Sequence, residues 1–169
     1  MTDEKIIDIL LVLHDFFNKH DVSYVVASSL SLALQGVDIN SSDIDLYVDQ
    51  QTAEKLKQLF LQIPKIGVKR EIAYSEGPDS VNPIYKSFFG TYELMGVEID
   101  IMGELEEKTI NGEWVTYAHR LINPPIVKIK DREIPVSNLE DQLKMYSNST
   151  REEDKIKVEK IKSYLDSKQ

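Results

Sequence analysis

The sequence predicts an α+β fold in which a mixed β-sheet is flanked by helices and is followed by C-terminal helices. Two observations carry this prediction. Residues 3–63 alternate between helical and strand-like apolar spacing, whereas residues 91–137 hold short β-rich runs with turn signals between them. Helical spacing then returns over residues 138–165, so helices are expected to end the chain.

The elements of the first half follow from apolar periodicity and from residues that begin or end helices. Apolar side chains repeat at helical spacing after Asp3, whose carboxylate suits the positive end of a helix dipole. Ser28 or Ser29 is expected to cap a second helix, and Gly36 is expected to end it. The predicted elements are a helix over 3–19, a strand over 23–27, a helix ending at Gly36, a strand over 44–48 and a helix over 51–63.

Turn signals define the second half of the chain. The segment YSEGPDSVNP (74–83) is rich in turn residues and predicts a loop. Asn111-Gly112 is a strong hairpin signal, and a second hairpin is expected to turn at Asp131-Arg132. The remaining predicted elements are a strand over 91–102 and helices over 138–146 and 151–165.

Length and composition are those of a globular protein. A chain of 169 residues, with 41% hydrophobic and 29% charged residues, can bury the core of one domain. We therefore expect a single domain over residues 1–169, with a core at about 22–137 and a helical segment at about 138–169. There is no cysteine, which excludes disulfides, thiolate metal sites and cysteine nucleophiles.

The charge of the chain narrows its partners. A net charge of -9 argues against non-specific binding to nucleic acid and against docking on an anionic membrane. No apolar run approaches the roughly 18 residues of a membrane span, and the N-terminal segment MTDEKIID does not have the basic start of a signal peptide. We expect a cytoplasmic protein that acts on a small substrate, a nucleotide carried with Mg²⁺ or a protein partner.

The segment SSDIDLYVD (41–49) is the strongest functional signal. Because a strand alternates its faces, Asp43 and Asp45 point the same way at the edge of an apolar run. Two carboxylates on one face repel each other and lower stability. We therefore expect a bound metal ion to offset their charge.

The acids allow two simpler interpretations. The pair can be the solvated end of a strand. An EF-hand loop over 38–49 is the other reading, but it places Asp43 at the glycine position and Asp45 at the apolar position. Asp49 would also replace the bidentate glutamate, so the calcium interpretation is disfavoured.

The segment VASSLSLALQGVDINSSDIDLYV (26–48) resembles the nucleotidyltransferase fold of the DNA polymerase beta superfamily. The family hallmark is a Gly-Gly or Gly-Ser pair that opens a helix, followed by an Asp-x-Asp or Asp-x-Glu strand and by a third acid on a later strand. In this chain the pair is occupied by Ser28 and Ser29, the helix-ending glycine by Gly36, the paired acids by Asp43 and Asp45, and the third acid by Asp100, with Glu98 as a weaker candidate.

The resemblance extends to the C-terminal half. A hairpin ending in Ile-Pro-Val (134–136), a helix with Gln142 and Lys144, and a further charged helix are similar to the tail of small lincosamide and aminoglycoside adenylyltransferases and of minimal nucleotidyltransferases. The likeness covers most of residues 22–165. In related enzymes a lysine or glutamine on the first of these helices approaches the site, so Gln142 and Lys144 are weaker site candidates.

The resemblance implies an Mg²⁺-dependent adenylyl transfer from ATP to a hydroxyl of a small molecule or protein. Two Mg²⁺ ions about 3.5–4 Å apart can activate the attacking oxygen and neutralise the leaving one. Asp43 and Asp45 would hold the metal, and Asp100 would complete the second metal site or take the hydroxyl proton. Backbone N–H groups at Ser28 and Ser29 would hold the β- and γ-phosphates.

Two positions depart from the family pattern. Ser28 replaces the first glycine of the pair, where a Cβ crowds the approach of phosphate to backbone. Ile39 stands where many members carry an arginine, three residues after the helix-ending glycine. The three acids favour catalysis, whereas these two departures favour the alternative, a catalytically silent binding module such as an antitoxin-like partner protein.

Overall fold

Helices and strands alternate along the first part of the chain in the computed structural model, which describes residues 2–77 and 84–168. Within these residues the helices are Glu4–Lys19 (α1), Ser28–Leu34 (α2), Gln50–Phe60 (α3), Leu139–Ser147 (α4) and Glu152–Asp166 (α5). The strands are Val25–Val26 (β1), Asp43–Val48 (β2), Ile66–Glu76 (β3), Ile84–Leu94 (β4), Val97–Lys108 (β5), Trp114–Thr116 (β6), Ile126–Ile129 (β7) and Arg132–Pro135 (β8).

The main sheet is mixed, which confirms the predicted α+β class. Its strands run in the order β1-β2-β5-β4-β3, and β6 pairs with the end of β5. The β2–β5 pair is parallel, whereas the other pairs are antiparallel. The β7–β8 hairpin forms a separate two-stranded sheet, joined to β1 by a bridge between Val26 and Val136.

The apolar core lies on one face of the main sheet. Alternate residues of β2, such as Ile44 and Leu46, are buried together with Ile99 and Ile101 of β5 and with the apolar faces of α1 and α3. Helix α1 begins as predicted after Asp3, whose carboxylate accepts from the backbone N–H of the second helical residue at 2.9 Å. The opposite face of β2 and β5 is therefore left for other residues, and it carries the acids.

A second, smaller cluster joins α2 to the C-terminal helices. Leu32 and Val37 pack against Tyr146 of α4 and Ile161 of α5. This cluster holds α4 and α5 near the end of the sheet where β2 begins. No helix within residues 2–77 and 84–168 is long and apolar enough to cross a membrane.

The predicted boundaries of α2 are partly wrong. The residue before the helix is Ala27, and no side chain caps it, so neither Ser28 nor Ser29 is the N-cap. Gly36 ends the helix as predicted, with φ at +95°. Its N–H donates to Ala33 O, and the next N–H donates to Leu32 O, the pairing of a Schellman motif.

The strand predicted over 91–102 is wrong because a hairpin turn divides it. Met95 and Gly96 both have positive φ and connect β4 to β5. Strand β3 was not predicted, since Ile72 is buried but most of its neighbours on the strand are exposed. Residues 74–76 of the predicted loop belong to β3, and residues 78–83 lie outside the described part of the chain.

The two predicted hairpins are present. Asn111-Gly112 lies in the turn between β5 and β6, where Gly112 has φ of +83°. The β7–β8 hairpin turns at Lys130-Asp131, one residue before the predicted position. Lys130 takes the left-handed conformation there, with φ of +56°.

Candidate active site

The parallel pairing of β2 with β5 brings the predicted acids together. Asp45 is in register with Asp100, and Asp43 is in register with Glu98. The alternation that buries Ile44 in the core turns Asp43 and Asp45 to the opposite face. Residues separated by more than fifty positions therefore share one end of the sheet.

Neighbouring hydroxyl groups hold two of the acids. Thr91 Oγ1 on β4 donates to Asp100 Oδ1 at 2.7 Å. Ser41 Oγ donates to the backbone O of Asp43 at 2.9 Å and lies 3.4 Å from its carboxylate. These contacts orient carboxylates that have few other partners on this face of the sheet.

Ser28 has an unusual backbone conformation beside Asp45. Its φ is +53°, in the left-handed region that favours glycine. The N–H of the preceding residue, Ala27, donates to Asp45 O at 2.9 Å, and the Ser28 hydroxyl hydrogen-bonds to the Asp45 side chain. The backbone at this position is therefore glycine-like although the residue is serine.

The raised pKa values of Asp45 and Asp100 reflect burial and the charge of neighbouring carboxylates. Burial, followed by the charge of Asp43 and that of Asp100, raises the pKa of Asp45 to about 7, against the hydrogen bond from Ser28 and the charge of Lys157. Burial also raises the pKa of Asp100, although the hydrogen bond from Thr91 opposes the change. The acids are thus crowded and incompletely balanced by cations.

The donor set fits Mg²⁺ by its chemistry. Within residues 2–77 and 84–168, no three His, Asp or Glu side chains already converge as a complete metal site. Mg²⁺ needs only one or two carboxylates when substrate phosphates and water supply the other oxygens. Asp43 and Asp45 provide such a pair, and the raised pKa of Asp45 indicates that a cation there would relieve repulsion.

A cavity of about 600 Å³ lies over these acids. Its walls are the acidic face of the sheet, the segment 39–42 before β2, the end of α4 and the first two turns of α5. The predicted site residues that line it are Ser28, Ser29, Asp43, Asp45 and Asp100. Its size is in the usual range for small-molecule sites.

The C-terminal helices and the residue before α5 contribute cavity residues that are not among the predicted site residues. Lys157 of α5 and Arg151, the residue just before that helix, line the cavity, as does Tyr146 of α4. The Ser28 hydroxyl also bonds to Tyr146, which is almost fully buried. Lys157 occupies the buried stripe of α5, next to Val158 and four residues before Ile161, and a charge inside an apolar stripe was the available signal.

The weaker candidates lie away from the cavity. Glu98 receives a hydrogen bond from Lys69 at 2.9 Å in an exposed ion pair. Gln142 is buried and donates to Ser31 Oγ at 3.1 Å, joining α4 to α2. Lys144 lines a separate surface depression beside His119.

The aromatic residues near the β5–β6 hairpin have packing roles. Lys86 lies 3.7 Å from the centre of the Trp114 ring. The Tyr117 hydroxyl donates to the buried Glu107. The calcium-loop reading is wrong, because residues 43–48 form a strand and the Asp49 side chain caps α3 by accepting from Thr52 N at 2.6 Å.

The fold, with its acids on two parallel strands beneath one cavity, is that of a nucleotidyltransferase. The sequence model of the aminoglycoside-2″-adenylyltransferase family matches residues 9–161. The chain belongs to this family. The resemblance to nucleotidyltransferases is thereby confirmed.

Two solved structures share the fold. A candidate nucleotidyltransferase of Thermotoga maritima, TM1012, superposes with a TM-score of 0.74 at 24% identity, covering 99% of this chain and 96% of that one. ANT(2″)-Ia, in complex with adenylyl-2″-tobramycin, superposes with a TM-score of 0.55 at 11% identity, covering 96% and 90%. At these identities the likeness concerns the fold alone. No curated protein sequence matches the chain.

Proposed function

We propose that the protein is an Mg²⁺-dependent nucleotidyltransferase that transfers AMP from ATP to a hydroxyl of a small molecule or protein. One observation carries the proposal. Asp45 and Asp100 are in register on the parallel pair β2–β5, with Asp43 on the same face, at the floor of a cavity of about 600 Å³. Membership of an adenylyltransferase family supports AMP as the transferred group.

The three acids divide the chemistry between them. Asp43 and Asp45 would hold Mg²⁺, which would supply positive charge to offset that of the phosphates and of the departing pyrophosphate. Asp100 accepts the proton of the acceptor hydroxyl while the bond from its oxygen to the α-phosphorus forms and the bond from that phosphorus to pyrophosphate breaks. Thr91 donates to Oδ1 of Asp100, which holds the carboxylate in place on this face of the sheet.

Ser28 and Ser29 bind the phosphates through their backbone N–H groups in this proposal. The positive φ of Ser28 supports it, because the backbone keeps the conformation that a glycine would take there. The Ser28 hydroxyl bonds to the side chains of Asp45 and Tyr146.

The second candidate is a catalytically silent binding module of the same fold. The observation that favours it is the presence of Ser28 and Ile39 in the cavity wall, where the family pattern has glycine and arginine. The Cβ of Ser28 reduces the space for a triphosphate, and Ile39 lacks the positive charge that an arginine would supply.

Calorimetry with Mg²⁺ and a non-hydrolysable ATP analogue separates the two candidates. Wild-type protein should bind the analogue, and the double variant Asp43→Ala/Asp45→Ala should not, because it lacks the metal ligands. The matched control Asp8→Ala/Asp131→Ala removes two exposed acids outside the cavity and should bind like wild type. Equal affinity in the wild type and in the cavity variant would end the metal-site proposal.

A further inference from the structure

Helix α5 and the residue that precedes it present two cations to the cavity that the acids of β2 also line. Among the described lining residues, Arg151 and Lys157 are its lysines and arginines. The Arg151 side chain is 44% exposed and pairs with Glu153, whereas that of Lys157 is only 16% exposed. Lys157 is therefore the cation enclosed within the site.

Two neighbouring groups set the position of the Lys157 ammonium. Its Nζ lies 3.4 Å from Asp154 Oδ1 and 4.7 Å from the centre of the Tyr146 ring. Asp154 is itself buried and accepts from Ser149 Oγ at 2.6 Å, so it is a fixed anchor for the ammonium. The charge of Lys157 also reaches the Asp45 carboxylate across the cavity.

The helix that carries Lys157 is fixed to the loop before β2. Tyr164 donates its hydroxyl to Gln35 O at 2.7 Å, and its ring leaves little room for a Cβ at Gly36. Lys160, one turn after Lys157, bonds to Asp38 O. These contacts hold α5 against the segment that leads from α2 to the acids, so Lys157 keeps a defined place relative to them.

We propose that Lys157 binds the β- and γ-phosphates of the nucleoside triphosphate and thereby supplies the positive charge that Ile39 does not. The inference rests on the proposed function of the same cavity. Ile39 and Lys157 both line this cavity, and an ammonium with three N–H donors can bond to Asp154 and to phosphate oxygens together. A triphosphate or pyrophosphate would be favoured over a monophosphate, since AMP lacks the groups that Lys157 contacts.

The test is calorimetry of Lys157→Met against a control on the same helix. Lys155→Met makes the same change at an exposed residue that pairs with Glu152. Lys157→Met should bind the Mg²⁺-bound ATP analogue about tenfold to a hundredfold more weakly, which is the loss typical of a charged hydrogen bond. Its affinity for AMP should stay at the wild-type value, and Lys155→Met should match wild type for both ligands.

Two further variants separate phosphate binding by Lys157 from its stabilisation of the buried Asp154 carboxylate. Lys157→Gln keeps a donor for Asp154 without the charge and should lose triphosphate affinity like the methionine variant. Lys157→Arg keeps the charge and should retain most of the wild-type affinity for triphosphate. Wild-type triphosphate affinity in Lys157→Gln, or an equal loss for ATP analogue and AMP, would overturn the inference. Failure of the wild type itself to bind any triphosphate would instead overturn the proposed function, and this role with it.

Discussion

Asp45→Asn should stabilise the metal-free protein. The carboxylate of Asp45 is held near Asp43 and Asp100 in a half-buried position, and these conditions raise its pKa to about 7. The folded state therefore binds more protons than the unfolded chain between about pH 4 and pH 7. The free energy of unfolding of the wild type must then fall as the pH rises through this window. Asparagine keeps the shape of the side chain and removes the titration.

The size of the effect follows from the two pKa values. The pKa of Asp45 is about 7 in the folded state, against about 3.9 for an aspartate in an unfolded chain. This difference corresponds to about 4 kcal/mol in the free energy of unfolding, which the wild type has lost once the pH exceeds 7. For a chain of this length each kcal/mol changes the melting temperature by about 2–4 °C. The variant should melt about 8–16 °C above wild type at pH 8 and close to it at pH 4.

Thermal unfolding in chelator, from pH 4 to pH 8, measures this difference. Asp166→Asn is the control, since it removes one carboxylate at an exposed position on α5. Added Mg²⁺ should then stabilise wild type by about 2.7 kcal/mol at a hundredfold excess over its dissociation constant, and Asp45→Asn far less.

Two results would refute this reasoning. A melting difference that does not change between pH 4 and pH 8 would mean that Asp45 is not strained by its neighbours. An Asp45→Asn variant that melts lower in chelator and responds to Mg²⁺ like wild type would return the acids to the solvated strand-end interpretation.

Two further predictions concern backbone geometry. Ser28→Gly should relieve about 1–2 kcal/mol of left-handed strain and tighten nucleotide binding, although a lost hydroxyl bond of about 1 kcal/mol offsets part of the stability gain. Calorimetry showing weaker binding would instead make the hydroxyl a ligand. Gly90→Ala should destabilise by about 1–3 kcal/mol in urea unfolding, because its Cβ would lie 2.6 Å from Ile72 Cγ1 and 2.8 Å from Ile72 N. Gly67→Ala, with 3.6 Å of room, should be milder, and an equal loss in both would contradict the packing argument.

The acids could be predicted from the sequence because their signal is local. Strand alternation puts Asp43 and Asp45 on one face whatever the rest of the fold does, and a hydrophobic-acid-hydrophobic pattern marks Asp100. Strand β3 could not be predicted in the same way. Ile72 is buried beside a long exposed stretch, so the apolar alternation that marks a half-buried strand is missing.

Other features depend on contacts that are distant in sequence. The left-handed φ of Ser28 is not encoded by the residue type, since serine rarely adopts it, and it arises where the backbone of Ala27 meets that of Asp45. Lys157 reaches the cavity because α5 packs against α2 and α4, and its place in the apolar stripe of α5 marks the residue without indicating what it faces.

The topology of the main sheet places the repelling acids in the same cavity as the Lys157 cation of α5. The main apolar core lies on the face of the sheet opposite the acids, so Asp43, Asp45 and Asp100 repel each other away from the packing of α1 and α3. A cation can offset their repulsion from the face that carries the acids, where α4 and α5 line the cavity. Lys157 acts there on Asp45 already in the free protein. A triphosphate entering the cavity would meet two kinds of charged group. The carboxylates need a cation, and the Lys157 ammonium can bond to phosphate oxygens. Binding of metal and phosphate at this site should therefore be cooperative, since each relieves a charge that the other leaves uncompensated.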